Sequence, residues 1–275
     1  MNWTETINYG WLVKIAESVR PNQAYGPEQL GEIKESGYSF LQTITGSDLA
    51  TDIDAHAGDV VTFGFLAVSE AGELVAAIRG TDTILEWIHD AEFLMVPCPV
   101  AGTSGLADDG FTAVYKSLGC GWVKSSVKDS IAAWAHGDSL HVERVTVCGH
   151  SLGAALATLL ALDVSVNTPF KSPKCFTFAS PRVGDHVFAR RYNQEVPSTV
   201  RVANRHDLVT MLPTVFPLPY EHVGIHAELK PSKEQVGTIP CMHHLSSYLW
   251  MMVKAGSLDR KDFPLNPECV AKAAK

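Results

Sequence analysis

From residue 60 onward, short apolar runs alternate with stretches whose apolar residues recur at helical spacing. Val60 to Val68 and Glu73 to Arg79 flank a Glu70-Ala71-Gly72 turn, the pattern of a hairpin early in a sheet. Later runs come singly: Arg144 to Cys148, Cys175 to Phe178 and Thr199 to Val202, with helical patterns such as Val123 to His136 and Asp185 to Tyr192 around them. Single strands separated by helices need crossover connections. The rhythm therefore predicts an α/β fold with a mostly parallel central sheet, helices on both faces, and antiparallel first strands. No repeat or linker divides the sequence, so residues 1–275 are read as one domain. In such sheets reactive groups collect at the carboxyl ends of the strands.

At one such end the strand Arg144 to Cys148 runs into Gly149-His150-Ser151-Leu152-Gly153, followed by the apolar stretch Ala154 to Leu162. A serine forced into a sharp strand-to-helix turn exposes its hydroxyl above the sheet, and crowding there leaves room only for glycine two residues before and two after. The next helix is small and apolar all round, so it can press on the sheet and aim its N-terminal N–H groups at a developing oxyanion. Ser151 is the candidate nucleophile.

Here the chain resembles the class 3 (fungal-type) lipase family of the α/β-hydrolase fold, over about Val60 to Tyr248. The segments that carry the resemblance are Arg79-Gly80-Thr81, Gly149 to Gly153, Phe178 to Gly184 (FASPRVG), Asp207 and His243, in that order. One segment departs from it: many relatives have His-Gly-Phe where this chain has Asp109-Gly110-Phe111.

A serine nucleophile of this kind needs an imidazole to take its proton and a carboxylate to orient that imidazole, in chain order Ser, Asp, His. Asp163 lies at the far end of the nucleophile helix, Asp185 reads as a helix N-cap, and Asp259 and Asp262 come too late. Asp207, in a loop after the strand Thr199 to Val202, is best placed, and the resemblance marks the same residue. Among the histidines, His150 flanks the nucleophile and is expected to pack or hydrogen-bond nearby. Tyr220 to Glu228 alternates as an edge strand would, which puts His222 and His226 on one face in structural roles. His243 and His244 remain, in a segment that opens the last helix after Pro240. The family pattern of histidine, any residue, an aliphatic, two small or polar residues and tyrosine fits His243 through Tyr248, while a fungal variant of it fits from His244. His243 is favoured and His244 kept as the alternative.

An oxyanion hole needs preorganised donors, and the backbone N–H of Leu152 supplies one. The second is expected from a loop after an early strand, where the resemblance implies that Thr81 gives its N–H and hydroxyl. Beyond it, Ile84, Leu85, Trp87, Ile88, Ala91 and Met95 cluster on one side of a helix. Relatives carry a lid there, so Ile84, Leu85, Trp87 and Ile88 are candidate substrate-facing residues; a core helix is the other reading.

Composition narrows the chemistry further. With 46% hydrophobic and 19% charged residues the chain is not disordered, and a net charge of −8 lacks the basic footprint nucleic acid requires. The apolar run Leu152 to Leu162 ends at Asp163, short of the ~20 residues a membrane span needs. A soluble enzyme with no transmembrane segment, meeting its ester substrate at a lipid–water interface, is expected. Met1 to Arg20 contains Glu5, Lys14 and Glu17 and shows no export signal, which suggests a cytoplasmic chain, or a secreted one if the sequence is a trimmed mature form. Six scattered cysteines lack metal-ligand spacing; Cys148 and Cys175 lie in strand runs as buried thiols. Free thiols throughout are expected. One bridge among Cys98, Cys120, Cys241 and Cys269 is the alternative, and it would point toward secretion. No metal or organic cofactor is called for. These readings converge on a serine carboxylic-ester hydrolase, with a triacylglycerol lipase first. The rivals are a phospholipase A1 or feruloyl esterase on the same scaffold and a catalytically silent interaction module.

Overall fold

The hairpin expected between residues 60 and 79 lies in the middle of a sheet that has nine strands among the described residues. In chain order the strands are β1 (Tyr38–Ser47), β2 (Val60–Ser69), β3 (Glu73–Ile78), β4 (Met95–Pro97), β5 (Leu106–Asp108), β6 (Gly119–Cys120), β7 (Ser125–Ser126), β8 (Arg144–His150), β9 (Lys174–Phe178), β10 (Gly184–Asp185), β11 (Thr199–Asn204), β12 (Tyr220–Glu221) and β13 (Ile225–Leu229). The helices are α1 (Trp3–Glu17), α2 (Pro27–Glu35), α3 (Asp109–Ser117), α4 (Val127–Trp134), α5 (Leu152–Asn167), α6 (His186–Glu195), α7 (Ile239–His243) and α8 (Leu245–Ala255). The computed structural model describes residues 1–20, 22–47, 60–81, 93–121, 125–135, 141–214, 219–259, 263 and 266–270.

The large sheet has the order β13-β11-β9-β8-β3-β2-β1-β6-β7. β1, β2 and β3 are antiparallel neighbours, while β3, β8, β9, β11 and β13 pair in parallel. This is the expected α/β-hydrolase arrangement. β12, β10, β5 and β4 form a small second sheet.

The strand period of two splits the core into two layers. Leu74, Ala76, Ile78 and Val147 face α3, α4, α5 and α6, whose Phe111, Ile131, Leu156 and Phe188 complete one apolar cluster. Val75, Ala77 and Cys148 face the other way, onto Leu12 and Ile15 of α1 and Leu249 and Met252 of α8. α5 is buried nearly all round, with Leu156, Leu159, Leu160 and Leu162 inaccessible to solvent. At about 1.5–3 kcal/mol per buried side chain, these leucines fix the helix that starts just after Ser151.

Four expectations are corrected. Tyr220 to Glu228 is not one strand: it divides into β12 of the small sheet and β13 of the large one. Gly224, at φ +76° and pressed on Thr199, makes the turn between them. His222 is therefore turned to the Thr210 carbonyl while His226 lies beside Arg201. The helical pattern from Ile84 does not reach Met95, which begins β4. The pattern from Val123 yields a helix only from Val127, capped by Ser126. Cys241 and Cys269 are joined in a disulfide, so the free-thiol reading fails for that pair; Cys98, Cys120, Cys148 and Cys175 are free. Asp185 caps α6 through the Phe188 N–H, as expected.

Candidate active site

Ser151 sits between β8 and α5 at φ 59° and ψ −125°, a strained conformation for a residue with a side chain. The flanking glycines make the turn possible. A Cβ on Gly149 would lie 2.1 Å from the Gly153 carbonyl oxygen, and one on Gly153 would lie 2.3 Å from that of Arg79. The backbone N–H of Ser151 donates to the Phe178 carbonyl across to β9, pinning the turn to the sheet.

The expected partners converge on this serine. His243 Nε2 is 2.8 Å from Ser151 Oγ, and its Nδ1 is 2.9 Å from Asp207 Oδ2. A carboxylate accepts, so Nδ1 carries the proton and Nε2 is left to accept from the serine hydroxyl. Asp207 follows β11 and has no solvent exposure. The Val209 N–H donates to its Oδ1 at 3.0 Å and the Tyr248 hydroxyl to its Oδ2 at 2.7 Å. Burial, and the charge of nearby His150, hold the His243 imidazole below its ordinary proton affinity, against the opposing pull of Asp207. At neutral pH the ring is a free base facing a hydroxyl, and a buried serine, imidazole and carboxylate so connected can pass a proton from Oγ to Nε2.

The adjacent histidines are separated by a break in the backbone. α7 ends at His243, and His244 at φ −55° and ψ 134° interrupts the helix before α8 begins. His243 turns inward and is buried, while His244 is exposed. The single last helix expected from the pattern is thus two.

Leu152 opens α5 with its N–H in the first turn. The chain after Arg79 passes close to Ser151, since a Cβ on Gly80 would lie 3.0 Å from Ser151 Cβ; Thr81 follows directly and is half-buried. Ile84, Leu85, Trp87 and Ile88 lie outside the described residues. Asp109 and Gly110 of the departing segment are exposed in the first turn of α3, which Asp108 caps through the Phe111 N–H. Among the described residues no three His, Cys, Asp or Glu side chains converge as a metal site, and no helix is long and apolar enough to cross a membrane.

Two contacts were not read from the sequence as parts of the site. Tyr248 donates to Asp207 and accepts from the Asn204 N–H, a role hinted at only by the tyrosine that closes the histidine pattern. Glu17, at the end of α1, meets His150 at 2.8 Å. A carboxylate at a helix C-terminus opposes the helix dipole, and that was the signal available.

Residues 75–216 match the family model described as Lipase (class 3). Among curated proteins, the chain is 34% identical over 210 residues to phospholipase A1-II 7 of Oryza sativa subsp. indica, covering 64% of this chain and 50% of that one. It is 28% identical over 242 residues to the chloroplastic phospholipase A1-Igamma3 of Arabidopsis thaliana, covering 69% and 45%. The chain thus spans about half the length of these curated relatives. Among solved structures, a nonglycosylated lipase of Yarrowia lipolytica superposes with a TM-score of 0.65 at 20% identity, over 85% of this chain and 81% of its own, and shares the fold.

Proposed function

The chain belongs to the class 3 lipase family, and we propose that it hydrolyses the acyl esters of glycerolipids through a covalent acyl-enzyme on Ser151. The observation that carries this reading is the buried hydrogen-bonded chain from Ser151 through His243 to Asp207. Ser151 Oγ attacks the ester carbonyl as His243 Nε2 takes its proton. The same proton passes to the departing alcohol, and His243 then deprotonates the water that releases the fatty acid. Asp207 holds the ring and balances its transient charge. Leu152 and Thr81 are the proposed oxyanion donors, each worth about 10²–10³ in turnover.

Two features bear on the substrate. Leu208 and Met211, in the 3-10 turn after Asp207, and Ile239, at the start of α7, expose their apolar side chains. The turn and α7 are in contact, so these side chains offer an apolar edge beside the site, suited to a lipid–water interface. A triacylglycerol is one substrate this allows. A phospholipid cleaved as by a phospholipase A1 is the second reading, favoured by the names of the curated relatives. The Cys241–Cys269 bridge supports an oxidising compartment rather than the cytoplasm. Triacylglycerol emulsions, phosphatidylcholine vesicles and soluble aryl esters assayed side by side, with a fluorophosphonate as active-site label, test the proposal. Hydrolysis of at least one ester with label on Ser151 is expected, and failure of both hydrolysis and labelling overturns it.

A further inference from the structure

Beside His243 lies a second buried imidazole that the proposed reaction leaves unused. His150, the last residue of β8, places its Nε2 2.8 Å from the main-chain carbonyl oxygen of His243 and its Nδ1 2.8 Å from Glu17 Oε1. The two histidine rings are 4.9 Å apart between centroids. Both partners of the His150 ring are oxygens that accept. A carbonyl has no proton to give, so Nε2 carries one; an ionised carboxylate requires that Nδ1 carry the other. Burial pushes the Glu17 carboxyl up, but the charge and hydrogen bond of His150, aided by Lys14 and Arg79, bring it down to about 2. With both ring nitrogens facing oxygen acceptors, the hydrogen-bond geometry pairs a carboxylate with an imidazolium, next to the His243 ring.

A neutral amide could hold the His243 carbonyl just as well, so the charge asks for a reason. We propose that the Glu17–His150 pair is a positioning element for the base: His150, donating to Glu17 and to the His243 carbonyl, fixes the His243 main chain and sets a cation beside the His243 ring. The inference rests on His243 acting as the general base. The titratable groups that bear on that ring come from four parts of the chain. Asp207, after β11, favours its protonation; Tyr248 of α8 donates to Asp207; His150 of β8 opposes protonation; and Glu17 of α1 favours it less strongly than His150 opposes it. Without the imidazolium two carboxylates would act on His243 uncompensated, and the base would take up its proton from water at a higher pH. α1 thereby joins the site from outside the segment that matches the family.

The test is the pH dependence of kcat/KM for a soluble p-nitrophenyl ester. In His150→Gln the amide can still donate to the His243 carbonyl, but the positive charge is gone and Glu17 remains. The acidic limb should move to higher pH by about one pH unit, because an opposite charge within a few ångströms favours the charged form of an ionisable group. In Glu17→Gln/His150→Gln both charges are gone, and the limb should return most of the way to the wild-type position. A contact that serves folding alone would lower activity at every pH and leave the limb in place; that result overturns the inference. If the variants do not fold, 15N NMR of the histidine rings in the wild-type protein decides, with both nitrogens of His150 expected to carry protons at pH 7 and a neutral ring overturning the inference. Full activity in His243→Ala would instead refute the base reading itself, so the two failures are distinguishable.

Discussion

Two buried carboxylates lie at opposite ends of the parallel strands, and both are met by tyrosine. Glu73, at the start of β3, accepts from the hydroxyls of Tyr9 (2.6 Å) and Thr146 (2.6 Å) on Oε1 and of Tyr38 (3.0 Å) on Oε2. Asp207, past the end of β11, accepts from Tyr248 and His243 on Oδ2 and from the Val209 N–H on Oδ1. Neither burial nor the number of donors separates them. The difference is that every side-chain donor to Glu73 is a hydroxyl: burial and the neighbouring carboxylate raise the proton-holding power of Tyr9 and Tyr38. One donor to Asp207 is an imidazole, whose second nitrogen faces the Ser151 hydroxyl. A proton path that continues outward makes a buried carboxylate chemically useful; a closed ring of hydroxyls makes it structural.

The largest expected effect lies at the open end. Ser151→Ala or His243→Ala should lower turnover roughly 10³-fold or more, with unchanged circular dichroism and, for Ser151→Ala, no fluorophosphonate adduct. Acid comes next. Because burial holds His243 below the usual imidazole range, its acidic limb should lie below about pH 6.5, with kcat/KM falling about tenfold per pH unit beyond it. A limb above pH 7 would contradict the free-base reading. Tyr248→Phe removes one donor from Asp207 and should cost roughly tenfold in kcat, measured against a matched loss of stability. At the closed end, Thr146→Val should lower unfolding stability by about 1–3 kcal/mol in urea titrations and leave kcat unchanged. If Thr146→Val slowed hydrolysis as Tyr248→Phe does, the contrast between the two ends would collapse. The smallest effect is expected for His244→Ala, whose exposed ring lies outside the chain from Ser151 to Asp207 and whose loss should leave activity in place.

Local patterns carried the reading of the open end a long way. The Gly149 and Gly153 spacing, the run of small apolar residues in α5 and the strand order all report steric demands confined to a few neighbouring residues, and they put Ser151 and Asp207 in place. Where local patterns were ambiguous, tertiary contacts decided. The alternation from Tyr220 to Glu228 looked continuous because the packing of Gly224 on Thr199, which breaks it, involves a residue far back in the chain. The histidine pattern favoured His243 but also fitted from His244, and only the end of α7 between them turns the two rings to different surroundings. Cys241 and Cys269, 28 residues apart, carry no spacing signal. The Glu73 cage draws on α1, β1, β3 and β8, and nothing in any one of those segments announces it.

α1 serves both ends, with Tyr9 at the closed carboxylate and Glu17 at His150. Eight residues of helix span about 12 Å, so one rigid rod reaches across the sheet between them. The stretch by which the chain is recognised as kin, residues 75–216, therefore begins after that rod and stops short of His243. Excised on its own, it would keep Ser151, His150 and Asp207 but lose His243, the Glu17 partner of His150, and Glu73 with the two tyrosine hydroxyls around it. For this molecule the hallmark of ancestry and the smallest working machine have different borders, and grafts or truncations should follow the second.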